Sequence, residues 1–324
     1  MSATRVSPFM SRRIVTVTGG SGFVGQILRS GLRARGYEVR VFDRYRSPLV
    51  TFLNRRYLGT VNNSVGQRIA RRLRCAQRRL DSVLRERGLI GPTRDDILDM
   101  RCRLIARFKG SYAVIHLAGI AHPLAPGSID DDFRRINYDG SVNAFEAARV
   151  AGAQKFLFAS SAQVYKINRP VRIDQFPILE TNYLPGMAEG QSMYGFLKAE
   201  FERFLATACP KGNTQGIALR LEYPGFCSNT PGNFYISTSV ENLQAGVIAA
   251  LEAPESFSFE AFNLADHHVD PAIIDVQAFL QRFWRDVPNH TRGNDCLLST
   301  DKAQQLLGYR PTMRGTYYNA SIIQ

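Results

Sequence analysis

The sequence predicts an α/β fold built on a doubly wound parallel sheet, and three observations carry the prediction. A short β-branched run at residues 13–18 feeds a glycine-rich turn that opens an amphipathic helix. Strand-like runs then alternate with helical patterns, the arrangement of parallel strands covered by helices on both faces. The composition, 44% hydrophobic and 21% charged, is that of a folded globular protein and disfavours a disordered, collagenous or coiled-coil chain.

Taken in order, Arg13-Ile-Val-Thr-Val-Thr18 reads as the first strand, and Gly19-Gly-Ser-Gly-Phe-Val-Gly25 follows it without a spacer. Residues 23–35 read as a helix closed by Gly36, and a second strand at 38–42 ends at Asp43, which completes a β-α-β unit. Further strands are read at 112–117, 155–159, 216–221 and 259–264, with helices at 129–151, 192–208 and 239–251. The length, 324 residues, suits one large domain or two modest ones. No window approaches the roughly 18 uninterrupted apolar residues that span a bilayer, and residues 1–13 lack the apolar stretch of a secretory signal, so the expected address is the cytoplasm. Cys75, Cys102, Cys209, Cys227 and Cys296 are scattered with no C-x-x-C pair, which indicates reduced thiols rather than a disulfide framework or a zinc site.

The net charge of +13 is concentrated. From Arg44 to Arg94 there are thirteen arginines, no lysine and only Asp81 and Glu86 as acids, an excess of eleven positive charges. The rest of the chain is nearly neutral, unlike a nucleic-acid binder with charge spread over a face.

Gly19, Gly22 and Gly25 form G-x-x-G-x-x-G between a strand and a helix. A side chain there would keep the backbone from a pyrophosphate, whose charge is met by free N–H groups and the positive helix end. Asp43 lies 18 residues past Gly25, where a carboxylate accepts hydrogen bonds from adenosine ribose hydroxyls, so NAD is favoured over NADP. Arg44 beside it could instead grip a 2′-phosphate.

With Thr18-Gly-Gly-Ser-Gly-Phe-Val-Gly25, Val114-Ile-His-Leu-Ala-Gly119, Asn137-Tyr-Asp-Gly-Ser-Val-Asn143, Ser160-Ser-Ala-Gln-Val-Tyr165 and Tyr194-Gly-Phe-Leu-Lys198 in this order, the chain resembles the extended short-chain dehydrogenase/reductases, and within them the NAD-dependent epimerase/dehydratase group. The resemblance runs from about Arg13 to Pro311 and includes Phe262-Asn-Leu-Ala-Asp266 and the segment Ser299 to Gly308. It implies a Rossmann domain at 12–221 with an insertion at about 45–94, and a small C-terminal substrate lobe at 222–324 interleaved with the last strands. It further implies that Phe23 and Val24 line the pyrophosphate turn, that Asp96 and Ile97 lie beside the adenine, and that Leu117, Ala118 and Gly119 line the cofactor cleft.

Tyr194 and Lys198 are four apart in a helical pattern and project from one face, where an ammonium can lower the phenol from about 10 towards neutrality. The resemblance adds Ser161, which would hold the reacting hydroxyl or carbonyl, and Asn137 as a supporting residue. Together they would let Tyr194 remove a proton from a carbinol while NAD takes its hydride. The family's dehydratases follow the Ser/Thr with an acidic pair or a Glu, whereas Ala162 and Gln163 stand here, which disfavours dehydration; Lys166 replaces the usual glycine. The interval from Leu219-Arg-Leu-Glu-Tyr-Pro-Gly225 to Tyr235 is short, with no arginine just before Tyr235 for a diphosphate, so the usual substrate lobe is abbreviated. A sugar epimerase is the first reading, a net dehydrogenase or reductase of a small sugar or sugar acid the second, and a non-catalytic NAD-binding scaffold the third. His116 reads as a packed neutral imidazole, His267-His268 as a solvated pair rather than a metal site, and Trp284 as core.

Within the insertion, Val65, Ile69, Leu73, Ala76, Leu80 and Val83 make one apolar helical stripe among arginines. A helix docked on its own domain, an anionic membrane surface, a phosphorylated or lipid-linked substrate and a partner subunit all fit this pattern, and a homodimer is left open. Nucleic acid is disfavoured, because no aromatic-rich motif accompanies the arginines.

Overall fold

A computed structural model describes residues 13–43, 95–121, 130–165, 173–182, 192–312 and 315–317. Arg44, the arginine-rich stripe and Lys166 lie outside the described residues.

Six parallel strands form the sheet: β1 (Ile14–Thr18), β2 (Glu38–Phe42), β3 (Ala113–His116), β4 (Lys155–Ser161), β5 (Gln215–Leu221) and β6 (Phe259–Leu264), in the order β2-β1-β3-β4-β5-β6. All six match runs legible in the sequence. Val15 pairs with Val39 on one side and Ala113 on the other, so β1 is flanked by the strand that follows it and by the one after that. The chain thus leaves β1 towards one edge and returns to the other side, which opens a crevice at the C-terminal ends of β1 and β3.

Among the described residues the helices are α1 (Phe23–Ala34), α2 (Arg101–Phe108), α3 (Asp130–Phe133), α4 (Gly140–Val150), α5 (Met193–Ala208), α6 (Val240–Glu252), α7 (Val276–Phe283) and α8 (Asp301–Leu307). The strands are apolar on both sides because both sides are covered. On β4, Leu157 joins the cluster made with Ile27 and Leu32 of α1 and Leu243 and Val247 of α6. Its neighbours Phe156 and Phe158 point the other way, into a cluster with Phe108 of α2, Phe145 of α4 and Phe201 of α5.

A third cluster lies past the sheet, where Phe176, Ile178, Phe234 and Leu298 pack on Phe279 and Leu280 of α7. Trp284 is at its rim, edge-on to Phe176 at 5.6 Å and Phe234 at 5.3 Å, and stays half-buried rather than entering the core. It is the C-cap of α7 and packs against the cluster from outside it.

The single helix expected at 129–151 is instead α3 and α4 joined by a π-helical turn, Arg134–Asp139, that contains Asn137. Such turns admit one extra residue and recur at functional sites. No helix among the described residues is long and apolar enough to cross a membrane.

Candidate active site

At the end of β1 the chain turns at Gly19 with φ of +68°, and a Cβ there would stand 2.9 Å from the Ala118 nitrogen. Inside α1, a Cβ on Gly25 would stand 2.6 Å from Gly20 Cα, so helix and turn pack backbone on backbone. Gly22 is the N-cap of α1 and offers no side-chain cap, and the first turn, with Phe23, Val24 and Gly25, holds no acid. The positive helix end is therefore left to an external anion. Asp43, just past β2, accepts a hydrogen bond from Ser21 N at Oδ2 (2.8 Å), which ties the end of β2 to the glycine turn and leaves Oδ1 for a ligand hydroxyl.

The facing wall is Leu117, Ala118 and Gly119. Leu117 N donates to Thr18 O (3.1 Å) and Ala118 N to Thr18 Oγ1 (3.2 Å), so this wall is pinned to the end of β1. Ile97 is buried in the cluster that contains Phe42, the residue before Asp43, while Asp96 Oδ1 accepts from Leu98 N (3.0 Å) to close a turn. The uncapped helix start, the surfaces that a Cβ would fill and the carboxylate beyond β2 fit a dinucleotide.

Asn137 clamps the next loop residue at both ends. Its Oδ1 accepts from Ile120 N (2.7 Å) and its Nδ2 donates to Ile120 O (3.0 Å). The resemblance implied a supporting residue in the cleft, and these two bonds place the Asn137 amide against the cleft wall at Ile120. Asn137 also anchors a buried relay. Ser141 Oγ donates to Asn137 O (2.7 Å), so it must accept from His116 Nε2 (2.9 Å). His116 Nδ1 is then the acceptor for Thr18 Oγ1 (2.8 Å), whose own lone pair takes the Ala118 N–H. Burial, aided by the charge of Lys198, pushes His116 down to about 3, so the ring is the neutral imidazole the sequence suggested.

Ser161 ends β4, and α5 brings Tyr194 and Lys198 to it. Ser192 caps α5 by accepting from Gly195 N (3.2 Å), which fixes the helix start at Met193 and places Tyr194 in the first turn. The Ser161 side chain lies near enough to the Tyr194 phenol to hold its pKa down, and Lys198 Nζ donates to Ala159 O (2.6 Å) while lying 4.4 Å from the Phe158 ring centre and 5.6 Å from that of Tyr194. The three residues converge as the motifs implied.

Their electrostatics differ from expectation. Burial pushes the Tyr194 phenol up, the Glu222 charge pushes it further, and only the Ser161 side chain opposes them. Burial also pushes Lys198 down to about 7 against the pull of Glu202, so the ammonium does not dominate its neighbour. Both directions run against the lowering of the phenol expected from the ammonium alone, because spacing in sequence says nothing of desolvation.

Three residues of this edge had no signal in the sequence. Glu202, one turn after Lys198, takes the Arg220 guanidinium bidentately (3.1 and 2.6 Å), and both are buried, with 5% of each side chain exposed. Arg220 also donates to Tyr165 OH (2.6 Å), so strand β5, helix α5 and the turn after Ser161 are locked together. Glu222, just past β5, is buried among amides, and its carboxyl is raised by burial to about 7.

The histidine pair lies elsewhere. His268 is bridged to Asp295, with Nε2 3.4 Å from a carboxylate oxygen, and His267 is exposed; the three offer ligand atoms within 4.8 Å of one another, a grouping that exposed residues commonly show without an ion.

Comparison with known proteins gives this geometry its context. The model of the NAD dependent epimerase/dehydratase family matches residues 15–224. A UDP-glucose 4-epimerase of Erwinia amylovora is 30% identical over 218 residues, covering 65% of this chain and 53% of that protein. A decarboxylating sterol-4-alpha-carboxylate 3-dehydrogenase of Homo sapiens is 31% identical over 152 residues, 46% of this chain and 29% of that protein. The matches thus span about half or less of these relatives' lengths. A short-chain dehydrogenase/reductase superfamily protein from Agrobacterium tumefaciens, solved with bound NAD, superposes with a TM-score of 0.60 at 19% identity, over 96% of this chain and 94% of that one.

Proposed function

The chain belongs to the NAD dependent epimerase/dehydratase family, and from that premise we propose that it is an NAD-dependent epimerase acting on a carbinol of a sugar or nucleotide-sugar. The observation that carries the reading is the meeting of Ser161, Tyr194 and Lys198 at the C-terminal end of the sheet that also carries the glycine turn. NAD, when bound, would supply a hydride acceptor and donor. Gly19, Gly22 and Gly25 would admit its pyrophosphate, Asp43 would accept from its ribose, and Leu117 to Gly119 would bound its cleft.

Within this reading Ser161 Oγ and the Tyr194 hydroxyl hold one substrate oxygen. Tyr194 would give its proton to a carbonyl oxygen on reduction and, as the phenolate, would take one from the carbinol on oxidation. Lys198, near the midpoint of its titration at neutral pH, would supply the positive charge that favours the second of these transfers.

The test is Tyr194→Phe, assayed by interconversion of UDP-glucose and UDP-galactose and by NAD titration. The variant is expected to fold and keep its NAD affinity while kcat falls by at least ~10²-fold, the low end for a lost acid/base. Unaltered turnover would refute the assignment. The short interval between β5 and Tyr235 favours a second reading, a net dehydrogenase or reductase of a small sugar or sugar acid. NAD that stays with the protein through purification and turnover supports epimerisation, and NAD that exchanges at every turnover supports dehydrogenation.

A further inference from the structure

Glu222 is a buried carboxylate at the reaction edge with no use in the chemistry above. Leu221 pairs with Ser161 in the register of β4 and β5, so the next residue, Glu222, emerges at the same edge of the sheet. It is 6% exposed. Its hydrogen-bond donors are neutral amides: Gln163 Nε2 reaches Oε1 at 3.2 Å and Oε2 at 3.4 Å, and Asn233 Nδ2 reaches Oε1 at 3.5 Å. No guanidinium or ammonium among the described residues pairs with it, although Arg220 two positions earlier is fully matched by Glu202.

A carboxylate has about four acceptor positions. Oε2 holds one long contact, so it has room for another donor. Gln163, which holds Glu222, packs against the catalytic helix. Gly195, next to Tyr194, approaches Gln163 so closely that a Cβ would stand 2.7 Å from the Gln163 carbonyl oxygen, and the Glu222 charge is felt by the Tyr194 phenol. Gln163 stands where the family's dehydratases carry an acid; here its amide presents an acid from the next strand instead.

We propose that Glu222 sets substrate specificity: its carboxylate accepts a hydrogen bond from a hydroxyl of the ring that carries the reacting carbinol, which selects neutral sugar rings and turns away rings bearing a carboxylate. The inference rests on the carbinol chemistry assigned to Tyr194. A hydroxyl donor completes the coordination of a buried anion, whereas a second carboxylate adds like charge to a poorly solvated one. The burial that raises the Glu222 carboxyl is offset by such a donor.

The experiment uses the full chain carrying Tyr194→Phe and loaded with NAD, with calorimetric binding of two matched pairs, glucose against glucuronate and UDP-glucose against UDP-glucuronate. The neutral member of at least one pair is expected to bind about tenfold or more tightly than its uronate, the low end for a hydrogen bond to a charged group. Glu222→Gln, with an unchanged thermal midpoint, should narrow that ratio by about the same factor, and Glu222→Asp should keep its sign. Equal or reversed preference, no binding of any pair, or an unchanged ratio in a folded Glu222→Gln protein overturns the proposal. Should Glu222→Gln fail to fold, the Glu222→Asp ratio and that of the parent decide. Turnover of the same sugars by protein with Tyr194 intact separates the two readings: preference without turnover overturns the catalytic reading alone, and turnover without preference overturns the role of Glu222 alone.

Discussion

Lys198→Met should make the protein more stable at neutral pH while abolishing its turnover. Burial lowers the Lys198 amine from 10.5 to about 7. The unfolded chain therefore holds this proton up to 10.5 and the folded chain only to about 7, so between these values the unfolded state binds more protons and stability rises with pH. At about pH 7 the deficit of the folded state amounts to about 4 kcal/mol. Methionine removes it and keeps an unbranched chain over the Phe158 ring, but it orphans Ala159 O, the acceptor of Lys198 Nζ, at about 1–3 kcal/mol. The net expectation is a gain of roughly 1–3 kcal/mol at about pH 7 that shrinks towards zero or below by about pH 10. Urea unfolding of parent and variant across that range measures it. A variant no more stable than its parent at neutral pH, or a gap that does not close as pH rises, refutes the reasoning.

Asp43→Ala should narrow or reverse a preference for NAD over NADP, because the carboxylate repels a 2′-phosphate; titration of both cofactors into stripped protein tests it, and tighter NADP binding by the parent would assign selection to Arg44. Glu202→Ala should destabilise the fold by roughly 3–5 kcal/mol by leaving the buried Arg220 without its counter-ion, and pairing Glu202→Leu with Arg220→Met should restore most of that; a loss below about 1 kcal/mol in denaturant unfolding would contradict it. The eleven excess charges between Arg44 and Arg94 should draw the protein to vesicles of acidic lipid at low salt, with binding lost as salt rises and in the joint Gln variant of Arg71, Arg72, Arg78 and Arg79; sedimentation without protein refutes this.

What was legible in the sequence is what is written locally. The glycine turn, the strand before it and the four-residue spacing of Tyr194 and Lys198 each depend on neighbours in the chain, and the structure keeps all of them. What was not legible depends on partners far along the chain. Glu222 meets Gln163 across 59 residues, and Arg220 meets Glu202 on a different element. The partner of the Asn137 amide, Ile120, is 17 residues away and was not legible either. The electrostatics of Tyr194 and Lys198 were missed for a related reason. Spacing predicts which groups are near each other, but desolvation is set by the whole packed environment, here the aromatic layer of Phe158 and Phe201 under the edge.

The relay through His116 bears on how this protein's kinetics will be interpreted. A break near neutrality in a plot of rate against pH is customarily credited to an imidazole. His116, the one histidine among the described residues of the site, stays neutral down to about 3, and its two hydrogen bonds keep the same sense throughout the range in which activity would be measured. A carboxyl, Glu222, and an amine, Lys198, both titrate at about 7 instead. A histidine-like profile from this protein is expected to survive substitution of His116 and to respond to substitution of Glu222 or Lys198.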